Sequence, residues 1–518
     1  MARIAPRPAA FCGPHAAITG VPAQLTAMIE AAQSARVNDT SKPYFIQALE
    51  ALKQGDRRGA AALLGRQIRE GNTSLKNLPS VAQLAEHIGE VDLAIEATRR
   101  AVMPGSIDSR LPYWAMLATY GRADEALADI ERQPSSIKEN PSVLHVRGNI
   151  ATQYGRLEEA QDLFRAALAK APAAMPTWFS LAMIKTFAPG DPDMAAMERL
   201  ERQPGAPAEA HASLCYALGK ASEDCGDADH AFAYYSKGAA LRRPQRPFDA
   251  ARYRVLADQT IASFTPENLA RLRPSGLDAQ RSLFVTGLPR SGTTLTEQLL
   301  IGHSAVVAGA ELNLFAPALI PTLGGSYDAA MSYQERANRS DPWGEIGRDY
   351  SRLVDIRFRS PGLVVDKSLG QSLMIGLLLH SLPEARIAWL RRSPEDVALS
   401  CFRTYFSAGL AWTDSLADIA DVMRAEDRLF EHWRTLYPDR ILMVSYEELA
   451  RSPATWAERL QQHFGLSIET SLEAAARGER AIGTASVAQV RQPISPSRIG
   501  RAAAFERHLK PFRDRYYD

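Results

Sequence analysis

A glycine followed five residues later by an alanine returns six times through the first half of this chain, and no other feature limits its fold so strongly. The pairs are Gly55 and Ala60, Gly89 and Ala94, Gly121 and Ala126, Gly155 and Ala160, Gly190 and Ala195, Gly226 and Ala231. Successive glycines lie 34, 32, 34, 35 and 36 residues apart. A period of this length holds two helices and a turn. One such unit cannot bury its apolar face alone, so stacked neighbours must share a core. The best-formed unit runs from Pro141 to Pro172, PSVLHVRGNIATQYGRLEEAQDLFRAALAKAP. Gly155 ends its first helix, Gly148 and Ala160 let the helices approach, and Phe164, Ala167 and Leu168 fill the face between neighbours. A second good unit spans Ala212 to Arg243, with Gly219, Gly226, Ala231, Tyr235 and Gly238. The unit around Gly190, FAPGDPDMA, is degenerate and carries proline.

The pattern changes in the second half. RRPQRPFDAARYRV and FTPENLARLRPSGLDAQ, rich in Pro and Arg, predict a junction over residues 246–280. From residue 281 onward, strand-like runs alternate with helical segments: LFVTG, LVVDKS, ARIAWLRR and RILMVSYEEL. This alternation predicts a parallel sheet covered on both faces, with ligands beyond the C-terminal strand ends. The first run leads directly into a turn and a helix, LFVTGLPRSGTTLTEQLL, residues 283–300. A strand, a glycine turn and a helix N-terminus form an anion cradle, because unpaired N–H groups and the positive helix end converge there. The spacing is that of a nucleoside-triphosphate loop, except that Thr293 stands where that loop carries its lysine. The missing lysine points to a different nucleotide.

Composition removes several classes. Sixty Lys and Arg balance 59 Asp and Glu for a net charge of +1, so a general polyanion binder is excluded and any basic site must be local. The cysteines Cys12, Cys215, Cys225 and Cys401 form no C-x-x-C pair, which argues against a zinc site or a disulfide framework. No apolar run of about 18 residues predicts a membrane span. The opening MARIAPRPAAFCGPHAAITG is broken by Pro and Gly and lacks a signal-type apolar core, so a cytoplasmic location is expected.

The stretch PRSGTT after a strand resembles the 5′-phosphosulfate loop of sulfotransferases that use 3′-phosphoadenylyl sulfate (PAPS). It looks like the stretch in the protein-tyrosine sulfotransferases and their bacterial relatives that carry tetratricopeptide repeats. The 34-residue helical period is the tetratricopeptide one. The resemblance implies an α-helical tetratricopeptide solenoid followed by an α/β, P-loop-like parallel-sheet sulfotransferase domain. The expected boundaries are an uncertain N-terminal segment at 1–40, about six repeats at 41–245, the junction at 246–280, and the sulfotransferase domain at 281–518.

Sulfuryl transfer needs anion donors, a base for the acceptor hydroxyl and a cation near the bridging oxygen; it demands no metal. The loop residues Pro289, Arg290, Ser291, Gly292, Thr293 and Thr294 are expected to hold the 5′-phosphosulfate. Glu311, 21 residues after Arg290, sits at the offset of the base assigned in the tyrosine enzymes. There the context is Gly-Glu-Glu; here Ala310 replaces the middle residue. Apolar neighbours suit a base by raising its pKa. His303 is the rival, since small-molecule sulfotransferases use histidine, but it follows the loop helix too early. The resemblance makes Lys367, ending the LVVD run, the cation at the bridging oxygen. Ser368 and Leu369 depart from the usual turn after it.

Arg392 and Ser400, eight residues apart, resemble the 3′-phosphate site of PAPS enzymes. Ser393 replaces the usual acid there, and Asp396 is kept. A 3′-phosphate site discriminates, because ATP has no such group. Tyr446 after the last strand run corresponds to an aromatic near the adenine, and equally fits a core tyrosine. In ASVAQVRQPI, residues 485–494, Ser486 is implied near the transferring group and Arg491 near the phosphates. The family's tryptophan soon after Gly500 is missing. The expected activity is PAPS-dependent transfer to an acceptor hydroxyl, a protein or peptide tyrosine being favoured and a saccharide, lipid or small molecule left open. The repeats would recruit a protein or peptide, and no nucleic-acid partner is expected. The alternatives are a P-loop nucleotide kinase or NTPase, and a catalytically inactive repeat scaffold.

Overall fold

The computed structural model describes residues 43–70, 77–406, 409–469 and 494–518. Six successive helix pairs make up the first half: Tyr44–Lys53 with Arg57–Glu70, Leu78–His87 with Val91–Arg100, Ile107–Thr119 with Ala123–Glu131, Pro141–Tyr154 with Leu157–Lys170, Met175–Ile184 with Pro192–Glu201, and Ala208–Asp224 with Ala228–Arg242. The six periodic glycines lie between the two helices of their pairs, with φ between 74° and 82°. A side chain is strained in that left-handed region, which is why glycine recurs there. Asn140 caps the helix Pro141–Tyr154 by accepting from Ser142 N at 2.9 Å, and Gly155 ends it.

The paired alanines are contact points. Ala60, Ala94, Ala126, Ala160 and Ala231 have no exposed surface, whereas Ala195 of the degenerate unit is half-buried. A Cβ on Gly148 would lie 2.5 Å from Phe164 Cε1, and one on Gly219 would lie 2.4 Å from Tyr235 Cε1. The small residues let the aromatic rings of the second helices press into the first. Full burial of a ring such as Phe164 contributes roughly 1.5–3 kcal/mol.

The second half is built on a five-stranded parallel sheet of order β2-β3-β1-β4-β5. The strands are β1 Ser282–Gly287, β2 Val306–Ala308, β3 Leu363–Asp366, β4 Ile387–Arg391 and β5 Ile441–Ser445. Four coincide with the strand-like runs of the sequence. The edge strand β2 has only three residues, too few for a periodic signal. β1 is buried along its whole length, as a central parallel strand must be. Its neighbours are β3, with Phe284 opposite Asp366, and β4, with Gly287 opposite Leu390.

The two halves share buried surface. Tyr216, Ala231 and Tyr235 of the last helix pair, Tyr253 and Phe264 of the connecting segment, and Trp389 and Phe402 near the sheet belong to one apolar cluster. Buried ion pairs join the halves too. Arg57 donates from Nε and Nη2 to both carboxylate oxygens of Asp349, each at 2.6 Å, and from Nη1 to Glu90 at 2.9 Å. Arg242, fully buried, reaches Asp414 at 3.1 Å. Among the described residues no helix is long and apolar enough to cross a membrane.

Candidate active site

The turn from β1 into the helix Thr293–Leu300 occupies the middle of the sheet's C-terminal edge. Gly292 stands at the N-cap with φ 111°, and no side-chain hydrogen bond caps the helix. Arg290 adopts φ 69°, unusual for a residue with a side chain. Ser291 turns back on the loop, donating from N and Oγ to Leu288 O at 3.2 and 2.7 Å. Thr293 and Thr294 are buried at the helix start. A Cβ on Gly287 would lie 2.8 Å from Leu390 O, so glycine alone lets β1 leave the sheet this close to β4.

Because β1 lies between β3 and β4, the loop has two chemically different flanks. On the β4 side, the Arg290 guanidinium donates to Ser400 Oγ at 3.0 Å, and Arg392 donates to the Arg290 carbonyl at 3.2 Å. Arg392 also bonds Asp396 at 3.2 Å and Arg498 O at 2.6 Å, and lies 4.3 Å over the Tyr446 ring. Its buried Nε has no hydrogen-bond partner among the described residues. Burial, with the positive charges of Arg403, Arg498 and Arg392, pulls the Arg290 pKa down to about 10. Four guanidiniums thus gather beside an uncapped helix start, and a local concentration of positive charge of this kind favours an anion. A cleft beside Arg392 is lined by Leu288, Ser291 and Arg391 together with the acids Glu426 and Asp427, of which Asp427 pairs with Arg391.

Arg403 and Arg498 were not singled out in the sequence. Arg403 stands three residues past Ser400, one helical turn on, which is a usable signal. Arg498 is distant in sequence. It arrives because Asp396 accepts from Gly500 N at 2.8 Å and Ala502 N at 2.9 Å, tying the C-terminal segment to the Arg392 helix. Tyr446 packs under the loop: a Cβ on Gly292 would lie 2.6 Å from its Cδ2.

The β3 flank carries Lys367 and Glu311. Lys367 is buried at the strand end, and its ammonium lies 3.3 Å from Glu311 Oε1. The Glu311 side chain is 31% exposed and faces that ammonium rather than an apolar wall. Ser368, which departs from the family turn, has its own anchor. It donates to Asp366 Oδ1, while its Oγ accepts from Asn313 N at 2.7 Å. Tyr350 holds the other Asp366 oxygen at 2.7 Å. Glu297, on the helix after the loop, is a third functional candidate that sequence reasoning passed over. Its signal was a lone acid on the apolar face of TTLTEQLL.

His303 is engaged elsewhere. Its Nδ1 accepts from Ala305 N at 3.1 Å, which assigns the proton to Nε2, and that proton points to Ser467 O at 3.1 Å. Ser486 and Arg491 lie outside the described residues. Away from the loop, Glu201, His211 and Cys215 bring potential metal-ligand atoms within 4.8 Å of one another, and the Lys237 ammonium already pairs with Glu201.

Residues 282–470 match the family model described as Sulfotransferase family, so the sheet half carries a sulfotransferase-family domain. An uncharacterized protein of Aquifex aeolicus is 28% identical over 395 residues, which are 74% of this chain and 50% of the relative. The chain therefore spans about half the length of the curated relative it matches. Among solved structures, the sulfotransferase domain of the Synechococcus PCC 7002 olefin synthase is 22% identical, covering 44% of this chain and 89% of that one, at a TM-score of 0.32. Sulfotransferase STF1 of Mycobacterium tuberculosis is 15% identical, covering 62% and 96%, at 0.29. Mouse sulfotransferase SULT7A1 complexed with PAP is 16% identical, covering 42% and 69%, at 0.25.

Proposed function

We propose that this protein is a PAPS-dependent sulfotransferase whose acceptor is a hydroxyl, a protein or peptide tyrosine before others. The observation that carries the reading is the two-sided loop. An uncapped helix start lies between an arginine cluster at the end of β4 and a Lys367–Glu311 pair at the end of β3. A bisphosphorylated adenosine has anions at two ends, and the residues fit both. Pro289 to Thr294 would hold the 5′-phosphosulfate. Arg392, with its unpartnered Nε, and Ser400 would hold the 3′-phosphate. Tyr446 is assigned to the wall of the nucleotide site, and Ser486 and Arg491 to its closure from the C-terminal segment.

The donor supplies the sulfuryl group; the chain's residues do the rest. Glu311 receives the proton of the acceptor hydroxyl, whose oxygen takes the sulfuryl group in line. The Lys367 ammonium balances negative charge as the sulfur–oxygen bond to the departing phosphate breaks. The six helix pairs are read as tetratricopeptide units that recruit the acceptor protein or peptide.

Calorimetric titration tests the nucleotide. Adenosine 3′,5′-bisphosphate should bind, while ATP with magnesium should give no comparable heat; the reverse preference would make the protein a triphosphate enzyme. Arg392→Ala should weaken bisphosphate binding roughly tenfold to a hundredfold, since a hydrogen bond to a charged group is worth about 1.5–3 kcal/mol. Unchanged affinity would remove Arg392 from the site. Incubation of the protein with labelled PAPS and a cell lysate, followed by identification of the labelled species, tests the acceptor. Label on something other than tyrosine would correct the acceptor class.

A further inference from the structure

The β3 flank contains a carboxylate that the proposed transfer does not use. Glu297 projects from the first helix after the loop and is 3% exposed. It accepts from Ala310 N at 2.8 Å. The donor belongs to the turn that presents Glu311. That turn is tightly built. Ala310 is held at φ 57°, and a Cβ on Gly309 would lie 2.2 Å from Val365 O. On its other side the turn is fixed to β3 by Lys367 N donating to Ala310 O at 3.0 Å.

Burial raises the Glu297 pKa, and the charge of Lys367 and the hydrogen bonding to the turn oppose that shift.

We propose that Glu297 is a positioning residue for the transfer: its buried side chain accepts from Ala310 N and so pins the turn that presents Glu311. This inference rests on the function proposed above for Glu311. The pin itself stands on geometry alone and is tested without turnover.

Two variants test the pin. Glu297→Gln keeps an oxygen that can accept from the turn and removes the charge; Glu297→Ala removes both. In hydrogen–deuterium exchange, a peptide covering residues 306–314 should exchange faster in Glu297→Ala and near the wild-type rate in Glu297→Gln. Wild-type protection in Glu297→Ala would overturn the pin. Turnover is followed with 4-nitrophenyl sulfate as sulfuryl donor and adenosine 3′,5′-bisphosphate as acceptor, the transfer run backwards. Glu297→Ala should lose at least about tenfold in kcat with the bisphosphate KM unchanged, and Glu297→Gln should recover most of it. An unaltered kcat in Glu297→Ala, or a loss carried wholly by KM, would overturn the positioning role. If wild type and Glu311→Gln release nitrophenolate at one background rate, and bisphosphate gives no heat, the proposed function itself falls, while the exchange result still decides the pin.

Discussion

Replacing Glu311 by glutamine lowers turnover about 10²–10⁴-fold on the function proposed here, the range that positioned proton transfer supplies, and leaves adenosine 3′,5′-bisphosphate affinity unchanged. The asymmetry follows from the sheet. Glu311 and Lys367 sit at the β3 end, whereas the arginines that would hold the nucleotide gather at the β4 end. Glutamine keeps the size of the side chain and can still accept from the Lys367 ammonium, so the turn has no reason to move. It cannot take a proton. Single-turnover assays paired with calorimetry on the same variant check both halves of the statement. Full activity in Glu311→Gln would move the base to another residue. Lost affinity would show that Glu311 shapes the nucleotide site.

The second large effect is on stability. Arg57→Ala should destabilise the protein by about 3 kcal/mol, the low end of the range for removing one partner of a buried ion pair. Arg57 is 1% exposed and is the two-pronged partner of Asp349, itself 4% exposed. The loss stays at the low end because Arg58 and Arg352 still reach Asp349, at 3.1 and 3.3 Å, and Arg352 still reaches Glu90. The urea midpoint should fall with the slope unchanged. Adding Asp349→Leu to Arg57→Met should recover part of the loss, since apolar packing in place of a buried pair is often neutral. A midpoint unaffected by Arg57→Ala would mean that the contact adds nothing to the union of the two halves.

What was legible in the sequence followed the reach of local rules. The six glycines announced the six inter-helix turns because a left-handed residue closing a helix is most readily glycine. β1, β3 and β4 were legible because buried parallel strands are continuous apolar runs, and the edge strand β5 because its run ILMV is apolar even though Met443 is exposed; β2, three residues long, was not. The loop and its flanking Lys367 and Arg392 were readable as residues at strand ends. Arg498 was not, because its place is set by Asp396 holding Gly500 and Ala502, a contact across about a hundred residues. The setting of Glu311 also escaped the sequence. Its nearest neighbours in the chain are apolar, but what it meets in space is an ammonium from β3.

The stretch that matches the sulfotransferase model, residues 282–470, is smaller than the unit that has to be moved to keep the domain's buried contacts. Arg403 of the arginine cluster is paired with Glu223, and Glu223 also accepts from Tyr235 at 3.0 Å; both of these belong to the last helix pair. Asp414, buried and with its pKa raised to about 6 by that burial, relies on Arg242 and Arg246 for its counter-charge. A gene cut at the start of β1 would strip away those carboxylate and guanidinium partners together. A protein engineer borrowing this domain must therefore carry at least the closing helix pair along with it.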